Sequence, residues 1–300
     1  MAGAYTVINL SNLPAPNVVE ALDFETIVSE MIADLQARDS TFTALLESDP
    51  AYKIIEVCAY RELLLRQRVN DSAKAVMLAF AEKADLDQIG ANVGVKRLMI
   101  DPGDPEAIPP IAPTYELDTD FRSRIQLSPE GYTTAGSEGS YVFHAIGSDP
   151  DVWDVQPVSP APGQVTVYVL SRIGDGTASN ELLETVNGVL NAQEIRPMTD
   201  QVTVLSAMIV PYTISATLTF YPGPDSAPIL AAAIEALQAY CDSVRRIGYD
   251  VTLSGIYKAL HQPGVQSVEL ASPTANIVIG DGQSSRCTSM IVTAAGSTDV

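Results

Sequence analysis

The first hundred residues carry apolar positions at helical spacing. Asp23 is a residue type that caps helices, and the pattern after it predicts a helix that ends near Ala37. After Asp49 and Pro50, which favour helix initiation, a longer helical pattern covers residues 51–83. Its apolar positions recur at intervals of four and then seven residues, a spacing that keeps them on one side of a helix. These positions are Ile54, Cys58, Leu65, Val69, Val76 and Phe80.

This long helix cannot bury its own apolar positions. At 1.5 Å per residue it would be about 50 Å long, and its other face carries charged side chains such as Arg61 and Glu62. Residues 26–31 and Leu86 supply only part of the cover that it needs. We therefore predict that the six apolar residues form an assembly interface with helices of another chain. A helical bundle within one chain is the alternative, and the sequence leaves both open.

The composition changes sharply after the first hundred residues. Residues 101–162 contain ten of the twenty prolines, and eleven acidic residues against only two basic ones. The segment 101–113 predicts a stiff, extended linker, because proline fixes φ and has no N–H group for a β-ladder. Two short helices are predicted at 118–127 and 137–146, and a second proline cluster follows at 159–162.

From residue 163 the apolar pattern alternates with a period of two, which predicts β-strands. Strand, turn, helix and strand follow one another twice, and a loose echo between 195–204 and 245–253 suggests a duplicated unit. The predicted strands are 164–170, 201–206, 212–220, 249–253, 265–270, 276–279 and 287–293, and the predicted helices are 180–190, 227–244 and 254–260.

These patterns predict an α+β, multidomain protein in which a helical region precedes small αβ units with mixed sheets. With 46% hydrophobic and 18% charged residues, the chain has enough apolar side chains for several such cores. In chain order, the expected domains are a helical region at 1–100, a linker at 101–118, short helices with a proline-rich connection at 119–162, and αβ units at 163–210 and 211–300.

The charge of the chain narrows the range of partners. Its formal net charge is −20 at pH 7, from 37 acidic and 17 basic residues, which disfavours binding to nucleic acids and to anionic membranes. No apolar run approaches the length of a membrane span, and the N-terminal residues lack the pattern of a secretory signal. Cys58, Cys241 and Cys287 are far apart in the sequence, so we expect reduced thiols in a cytosolic protein, with an intermolecular disulfide as the alternative.

Candidate catalytic groups are few. The two histidines, His144 and His261, lie in or next to predicted helices, where structural roles account for them. The sequence contains no nucleophile elbow, zinc-protease motif, CxxC pair or phosphate loop. Glycines at 174 and 176 flank an aspartate and predict a tight turn, and the acids of 101–120 do not follow calcium-loop spacing. We therefore predict a protein that is not an enzyme, with no catalytic residue, no cofactor and no metal.

Motifs in a fixed order cover nearly all of the chain. They are LPAP at 13–16, YRELLLRQRVN at 60–70, AVMLA at 75–79, ANVGV at 91–95, SPAP at 159–162, LSRIGDGT at 170–177, YPGP at 221–224 and PGV at 263–265. In their order and number these motifs resemble the baseplate assembly protein J family of contractile-tailed phages and of R-type bacteriocins, the tail-like particles also called tailocins.

The resemblance implies a structural wedge subunit of a contractile-tail baseplate, and it offers no catalytic residues to carry over. Two copies per wedge are expected, joined by a smaller wedge partner through a helical core bundle to which residues 51–83 would belong. Six wedges would then form a ring around the central hub and spike. The ring is expected to widen when the tail is triggered and to relay the trigger to the sheath.

The same resemblance implies assembly in the bacterial cytoplasm and a final place in a virion or a tail-like particle. A cytosolic αβ enzyme is the first alternative, and the missing base, nucleophile and phosphate loop disfavour it. An adhesive tail protein is the second alternative. Only 6% of the residues are aromatic and the first third has helical patterns, which is unlike a fibrous adhesin.

Overall fold

A computed structural model of the chain describes residues 8, 10, 13–14, 21–42, 45–133, 136–222 and 226–297. Parts of two of the sequence motifs, at 15–16 and 223–224, lie outside these residues. The contacts divide the chain into two units. The helical unit comprises the described residues of Ile8–Arg97 together with Leu117–Ile125, and the sheet unit comprises Leu98–Glu116 and the described residues from Gln126 onward.

The helical unit contains a packed pair of helices, α1 (Phe24–Arg38) and α2 (Pro50–Ala75). The Asp23 side chain accepts hydrogen bonds from the N–H groups of Glu25 and Thr26, so the predicted cap does begin α1. An apolar cluster joins the two helices. It consists of Ile27, Val28 and Ala59, with Phe24, Met31, Ile32, Tyr52, Ile55 and Leu63 packed against them.

The helix predicted over residues 51–83 is shorter in the structure. α2 ends before the predicted boundary, the chain turns, and a separate helix, α3 (Lys83–Asn92), follows. The Arg122 guanidinium donates hydrogen bonds to the carbonyl oxygens of Leu78 and Ala81 at 2.7 and 2.6 Å. These bonds satisfy carbonyl groups in the turn that a continuous helix would have used for its own ladder. The turn therefore depends on a residue that is distant in the sequence.

Helix α4 (Asp118–Leu127) lies where the sequence predicted it, and its Phe121 side chain is fully buried. A Cβ atom at Gly90 would lie only 2.5 Å from Cζ of Phe121, so glycine is what lets the Phe121 ring pack against the backbone of α3. The Arg97 guanidinium lies 4.7 Å from the Phe121 ring centroid and forms an ion pair with Asp118 at 2.8 Å. Packing, a cation–π contact and an ion pair together hold α3 against α4.

The proline-rich segment forms a small β-structure in the sheet unit rather than the extended linker that its composition predicted. β1 (Met99–Asp101) pairs antiparallel with β2 (Thr114–Tyr115). Between them, Asp104 and Ile111 form a bridge with hydrogen bonds of 3.0 and 2.9 Å in the two directions. The prolines lie outside these paired positions, so their missing N–H groups do not prevent the pairing.

Three strands and their helices form the central part of the sheet unit. In chain order the elements are a 3₁₀ turn (Ser128–Tyr132), α5 (Glu138–Ile146), β3 (Val152–Ala161), β4 (Gln164–Ser171), α6 (Asn180–Leu190) and β5 (Gln201–Ser206). The strand order is β3-β4-β5, with β3 antiparallel and β5 parallel to β4. Val167 and Val169 of β4 are fully buried and belong to one apolar cluster with Leu182, Val186 and Leu190 of α6.

The C-terminal part of the sheet unit has a second mixed sheet. Its elements are β6 (Met208–Phe220), α7 (Ala227–Val244), α8 (Leu253–Leu260), β7 (Val265–Ser272) and β8 (Gln283–Ser297). The strand order is β7-β6-β8, with β7 antiparallel and β8 parallel to β6. Alternate β6 side chains enter the core beneath α7 and α8, as a half-buried strand requires. They are Tyr212, Ile214, Ala216, Leu218 and Phe220.

Most of the elements predicted for the sheet unit are confirmed. The helices at 180–190 and 227–244 and the strand at 201–206 have the predicted bounds. Helix α5 begins after the predicted Ser137, whose hydroxyl accepts the N–H of Ser140 as an N-cap. The α+β class with a helical region followed by mixed sheets is therefore confirmed.

Two predicted strands are wrong. Residues 249–253 and 276–279 contribute only a single bridge, between Val251 and Ile277. Side chains in this region, such as that of Asn276, accept the backbone N–H groups that a longer ladder would have used. Alternating apolar residues were therefore present without the backbone pairing that makes a strand.

The structure also contains a strand that the sequence pattern missed. β3 includes Pro157 and Pro160, the second of which belongs to the cluster predicted as a proline-rich connection. β3 is an edge strand, where a missing N–H group is tolerated. The predicted duplication does not extend to the topology. Helix α6 leads to a strand parallel to β4, whereas α7 and α8 lead to a strand antiparallel to β6.

Side chains of β3 join the central and C-terminal parts of the sheet unit, and we call this contact the β3 junction. Three of its hydrogen bonds pair a β3 side chain with a backbone group of the C-terminal part, and a fourth runs from Gln156 Nε2 to the Asp281 carboxylate at 3.3 Å. The first three are Trp153 Nε1 to the Arg245 carbonyl (2.9 Å), the Ile247 N–H to the Asp154 carboxylate (2.8 Å) and the Gly282 N–H to the Gln156 amide oxygen (2.7 Å).

The β3 junction predicts an unusual pH dependence of stability. Burial raises the pKa of Asp154 above the ordinary value of 3.8, although the Ile247 N–H and Arg246, 3.7 Å away, favour the charged form. A carboxyl whose pKa is higher in the folded state stabilises the fold at low pH and loses that contribution as pH rises through the folded pKa. The free energy of unfolding of the wild type, relative to Asp154→Asn, should therefore decrease as pH rises from about 4.

Urea unfolding of both proteins across this pH range measures the difference. Asparagine is the matched control, because its amide oxygen can still accept the Ile247 N–H but cannot ionise. An increase in the relative stability of the wild type with pH would contradict the prediction. It would show that attraction to Arg246 outweighs the cost of burying the charge.

Candidate functional site

An exposed apolar stripe runs along α2. The exposed fractions are 64% for Ile54, 62% for Leu65, 56% for Val69 and 74% for Val76, and Cys58 is also exposed. We call these five residues the α2 stripe. α2 has 26 residues and is about 39 Å long at 1.5 Å per residue. The intervals of four, seven and four residues keep the first four side chains on one side of it, and Val76 is the C-cap residue at the end of that side.

The α2 stripe is exposed because α1 covers a different side of the helix. Ala59 is fully buried against α1, and Tyr52, Ile55 and Leu63 pack around the same cluster. At about 100° per residue, these positions lie roughly a third of a turn away from the stripe. One helix can cover only one side of another, so α1 cannot bury both. Within the part of the chain that the structure describes, the stripe stays exposed to solvent.

The structure changes the membership of the predicted interface. Phe80 does not belong to the stripe, because it lies beyond the end of α2 in the turn before α3 and is partly buried. Val57, Tyr60 and Leu64 were missed, and 62%, 54% and 41% of their respective surfaces are exposed. These three do not fit the spacing of four and seven residues. At about 100° per residue they lie roughly a third of a turn from the stripe, so they form a separate exposed apolar side of α2.

Charged side chains distinguish the two sides of α2. Arg66 faces α1, where it pairs with Glu62 and lies 3.8 Å from Glu30. Arg61 and Arg68 are exposed, and helical geometry places them next to the stripe. An apolar stripe edged by arginines matches a helix that has an apolar face edged by acidic residues.

The turn predicted at 174–176 is confirmed. The Asp175 carboxylate accepts the Thr177 N–H at 2.9 Å, and the Ser171 N–H donates to the Gly176 carbonyl at 2.8 Å. The hydrogen bonds from Thr177 lower the pKa of Asp175 below its usual value. A phosphate-binding loop needs free N–H groups that converge on the ligand. Here the loop uses those groups to hold itself closed.

The two histidines occupy separate structural positions. Burial lowers the pKa of His144, and its ring packs edge-on against Phe143 with the centroids 5.2 Å apart. His261 follows the last residue of α8 and donates its backbone N–H to the Tyr257 carbonyl. Among the described residues, no group of three or more His, Cys, Asp or Glu side chains could hold a metal ion. No helix in the described ranges is long and apolar enough to cross a membrane.

A cavity of about 300 Å³ in the C-terminal part of the sheet unit is lined by Cys241 of α7 and Cys287 of β8. Arg245 and Arg286 also line it. Sequence spacing could not reveal this pair of cysteines, because α7 and β8 meet only when the C-terminal sheet has formed.

Three family descriptions match successive parts of the chain. The Baseplate J-like N-terminal domain matches residues 47–104, which include all of α2. The Baseplate J-like central domain matches residues 133–206, and the Baseplate J-like protein C-terminal domain matches residues 212–293. The last two correspond to the two mixed sheets.

A curated relative covers nearly the whole chain. Over 298 residues the chain is 50% identical to Baseplate protein J of Escherichia phage P2, which amounts to 97% of this chain and 99% of that protein. A chain in the six-fold symmetrised cryo-EM structure of the anti-feeding prophage baseplate has 17% identity and a TM-score of 0.40, and the match covers 59% of this chain and 43% of that one. That likeness is too low to inform the fold. On its sequence identity and its three matching domains, the chain belongs to the baseplate J family.

Proposed function

We propose that this structural protein of a contractile-tail baseplate acts as a wedge subunit. Two copies dimerise and join a smaller wedge partner through a helical core bundle that contains α2. Six wedges close into a ring around the hub and spike, and the ring relays the contraction trigger to the sheath. The exposed α2 stripe carries this proposal, because it is an apolar surface that the described part of its own chain leaves uncovered.

The free energies of burial and of association favour a bundle over a single pair of helices. A fully buried aliphatic side chain contributes about 1.5–3 kcal/mol, and four of the five stripe residues are aliphatic and more than half exposed. Association costs on the order of 4–15 kcal/mol in lost freedom of movement. One stripe against one partner helix therefore gives only marginal stability. Several helices that each contribute an apolar face would give a stable wedge.

The sheet unit is the proposed site of contacts between copies in the ring. Each of its two mixed sheets ends in edge strands, which offer unpaired backbone groups to a neighbour. The net charge of −20 keeps free subunits apart and favours basic surfaces on partners such as the hub. Assembly would take place in the bacterial cytoplasm, before the baseplate becomes part of a virion or a tail-like particle.

The segment 101–113 is the proposed hinge of the ring. It lies in Leu98–Glu116, which belongs to the sheet unit, whereas Arg97 and Leu117 on either side belong to the helical unit. Five prolines restrict the backbone within the segment, so rotation would concentrate at its ends.

An aspartate in the α2 stripe should prevent wedge formation. Leu65→Asp or Val76→Asp would place a charge where an apolar partner is expected, and the loss of one buried aliphatic side chain alone weakens binding by at least about tenfold. Co-purification of the variants with the smaller wedge subunits of the same tail measures the effect. Normal recovery of the partners would count against this interface.

Gln67→Asp is the matched control for these variants. Gln67 is exposed on α2 and helical geometry places it opposite the stripe, so this change adds the same charge to the same helix outside the proposed interface. It should leave partner recovery unchanged. Leu65 is 62% exposed, so Leu65→Asp should change the free energy of unfolding of the isolated chain by no more than about 0.5 kcal/mol.

The hinge predicts a specific difference between two states of the ring. Structures of the baseplate before and after contraction should differ in the angle between the helical and sheet units. The fold inside each unit should stay the same, because packed cores resist deformation. An unchanged angle between the helical and sheet units would rule the hinge out.

A further inference from the structure

Two cysteines from different elements meet in the C-terminal part of the sheet unit. Cys241 of α7 is buried and Cys287 of β8 is partly buried, and each thiol is near enough to shift the pKa of the other. Cys241 belongs to the apolar core of this part, and Cys287 packs against the same core. Cys287 Sγ lies 3.4 Å from the Ser289 carbonyl oxygen. The two sulfur atoms are therefore neighbours held by packing on several sides.

The pair can be reached from solvent through the cavity that both cysteines line. Its volume of about 300 Å³ is at the lower end of the range of sites that hold small organic molecules. Arg245 and Arg286 line the same cavity, and Nε and Nη2 of Arg245 have no hydrogen-bond partner among the described residues. Two guanidinium groups attract an anionic molecule to the thiols. Asp242, which also lines the cavity, offsets part of that attraction.

We propose that Cys241 and Cys287 form a redox-active pair, which an anionic low-molecular-weight disulfide oxidises to an intramolecular disulfide between α7 and β8. Oxidised glutathione belongs to this class of oxidant. The inference does not depend on wedge assembly, because it rests on the sheet unit alone.

Cys287 is the attacking residue, because it is partly exposed and lines the cavity, and the buried Cys241 is the resolving residue. Interaction with the Cys241 thiol lowers the pKa of Cys287, whereas the same interaction and burial raise the pKa of Cys241. The Cys287 thiolate attacks one sulfur of the oxidant, forms a mixed disulfide and releases one thiolate. Cys241 then attacks Cys287 Sγ and releases the second thiolate, and the two cysteine protons end on the released thiols. Two electrons pass from the cysteines to the oxidant.

The redox state of the pair follows the surroundings of the protein. Low-molecular-weight thiols keep it as a dithiol in a reducing cytosol, and the disulfide forms where such reductants are absent. The new bond ties α7 to the strand that lies parallel to β6. A particle outside the cell would therefore have a C-terminal sheet that is harder to unfold than that of the newly made chain.

The test uses the full chain with Cys58→Ser, which removes the exposed third thiol and prevents crosslinks between copies. After treatment with oxidised glutathione, a thiol titration of the denatured protein should detect neither of the two remaining cysteines. The intact mass should fall by the mass of two hydrogen atoms. The melting temperature should rise on oxidation and return to its original value after reduction. Two free thiols after treatment, or glutathione on both cysteines without an internal bridge, would overturn the proposal.

Two further variants test the order of reaction. With Cys58→Ser and Cys241→Ser, Cys287 should retain a single glutathione, because no resolving thiol is present. With Cys58→Ser and Cys287→Ser, the buried Cys241 should remain unmodified. Faster modification of Cys241 than of Cys287 would contradict the assigned roles. Serine is close to cysteine in size, and far-UV circular dichroism verifies that each variant is folded.

Discussion

The α2 helix has apolar residues on several sides, and α1 covers only one of them. α1 buries the side centred on Ala59, which leaves Ile54, Leu65, Val69 and Val76 in water. Apolar surface exposed in this way has an unfavourable free energy that burial against another molecule removes. This geometry supports the proposed role of the stripe in assembly, and membership of the baseplate J family identifies the chain as a baseplate protein.

The sequence predicted the fold where local pattern and tertiary structure agree. Helices α6 and α7 and strand β5 have the predicted bounds, because their apolar periodicity matches the sheets that they cover. The prediction from the sequence failed where a group that is distant in the chain determines the local structure. Arg122 fixes the turn that ends the long helical pattern, and β3 is a strand because its edge position tolerates proline. The side chains of Asn276 and Asp250 accept backbone N–H groups that the predicted β-ladder would have used.

The candidate site could be predicted only in part for the same reason. Regular spacing identified the five residues of the α2 stripe, but it extended the stripe to Phe80 and did not indicate the exposed Val57, Tyr60 and Leu64 on another side of α2. Exposure cannot be obtained from periodicity, because each apolar side of α2 has a helical period. The proximity of Cys241 and Cys287 could not be predicted from their spacing in the sequence, because it depends on how α7 packs on the C-terminal sheet.

Cys58 permits a direct test of the central claim in the native protein, because it is an exposed thiol within the α2 stripe. The measurement is the rate at which a maleimide modifies Cys58 in the isolated chain and in the assembled baseplate, with the modified residue identified by peptide mass. Burial of the stripe against partner helices predicts rapid modification of the isolated chain and strong protection after assembly. Equal rates in the two states would contradict the account.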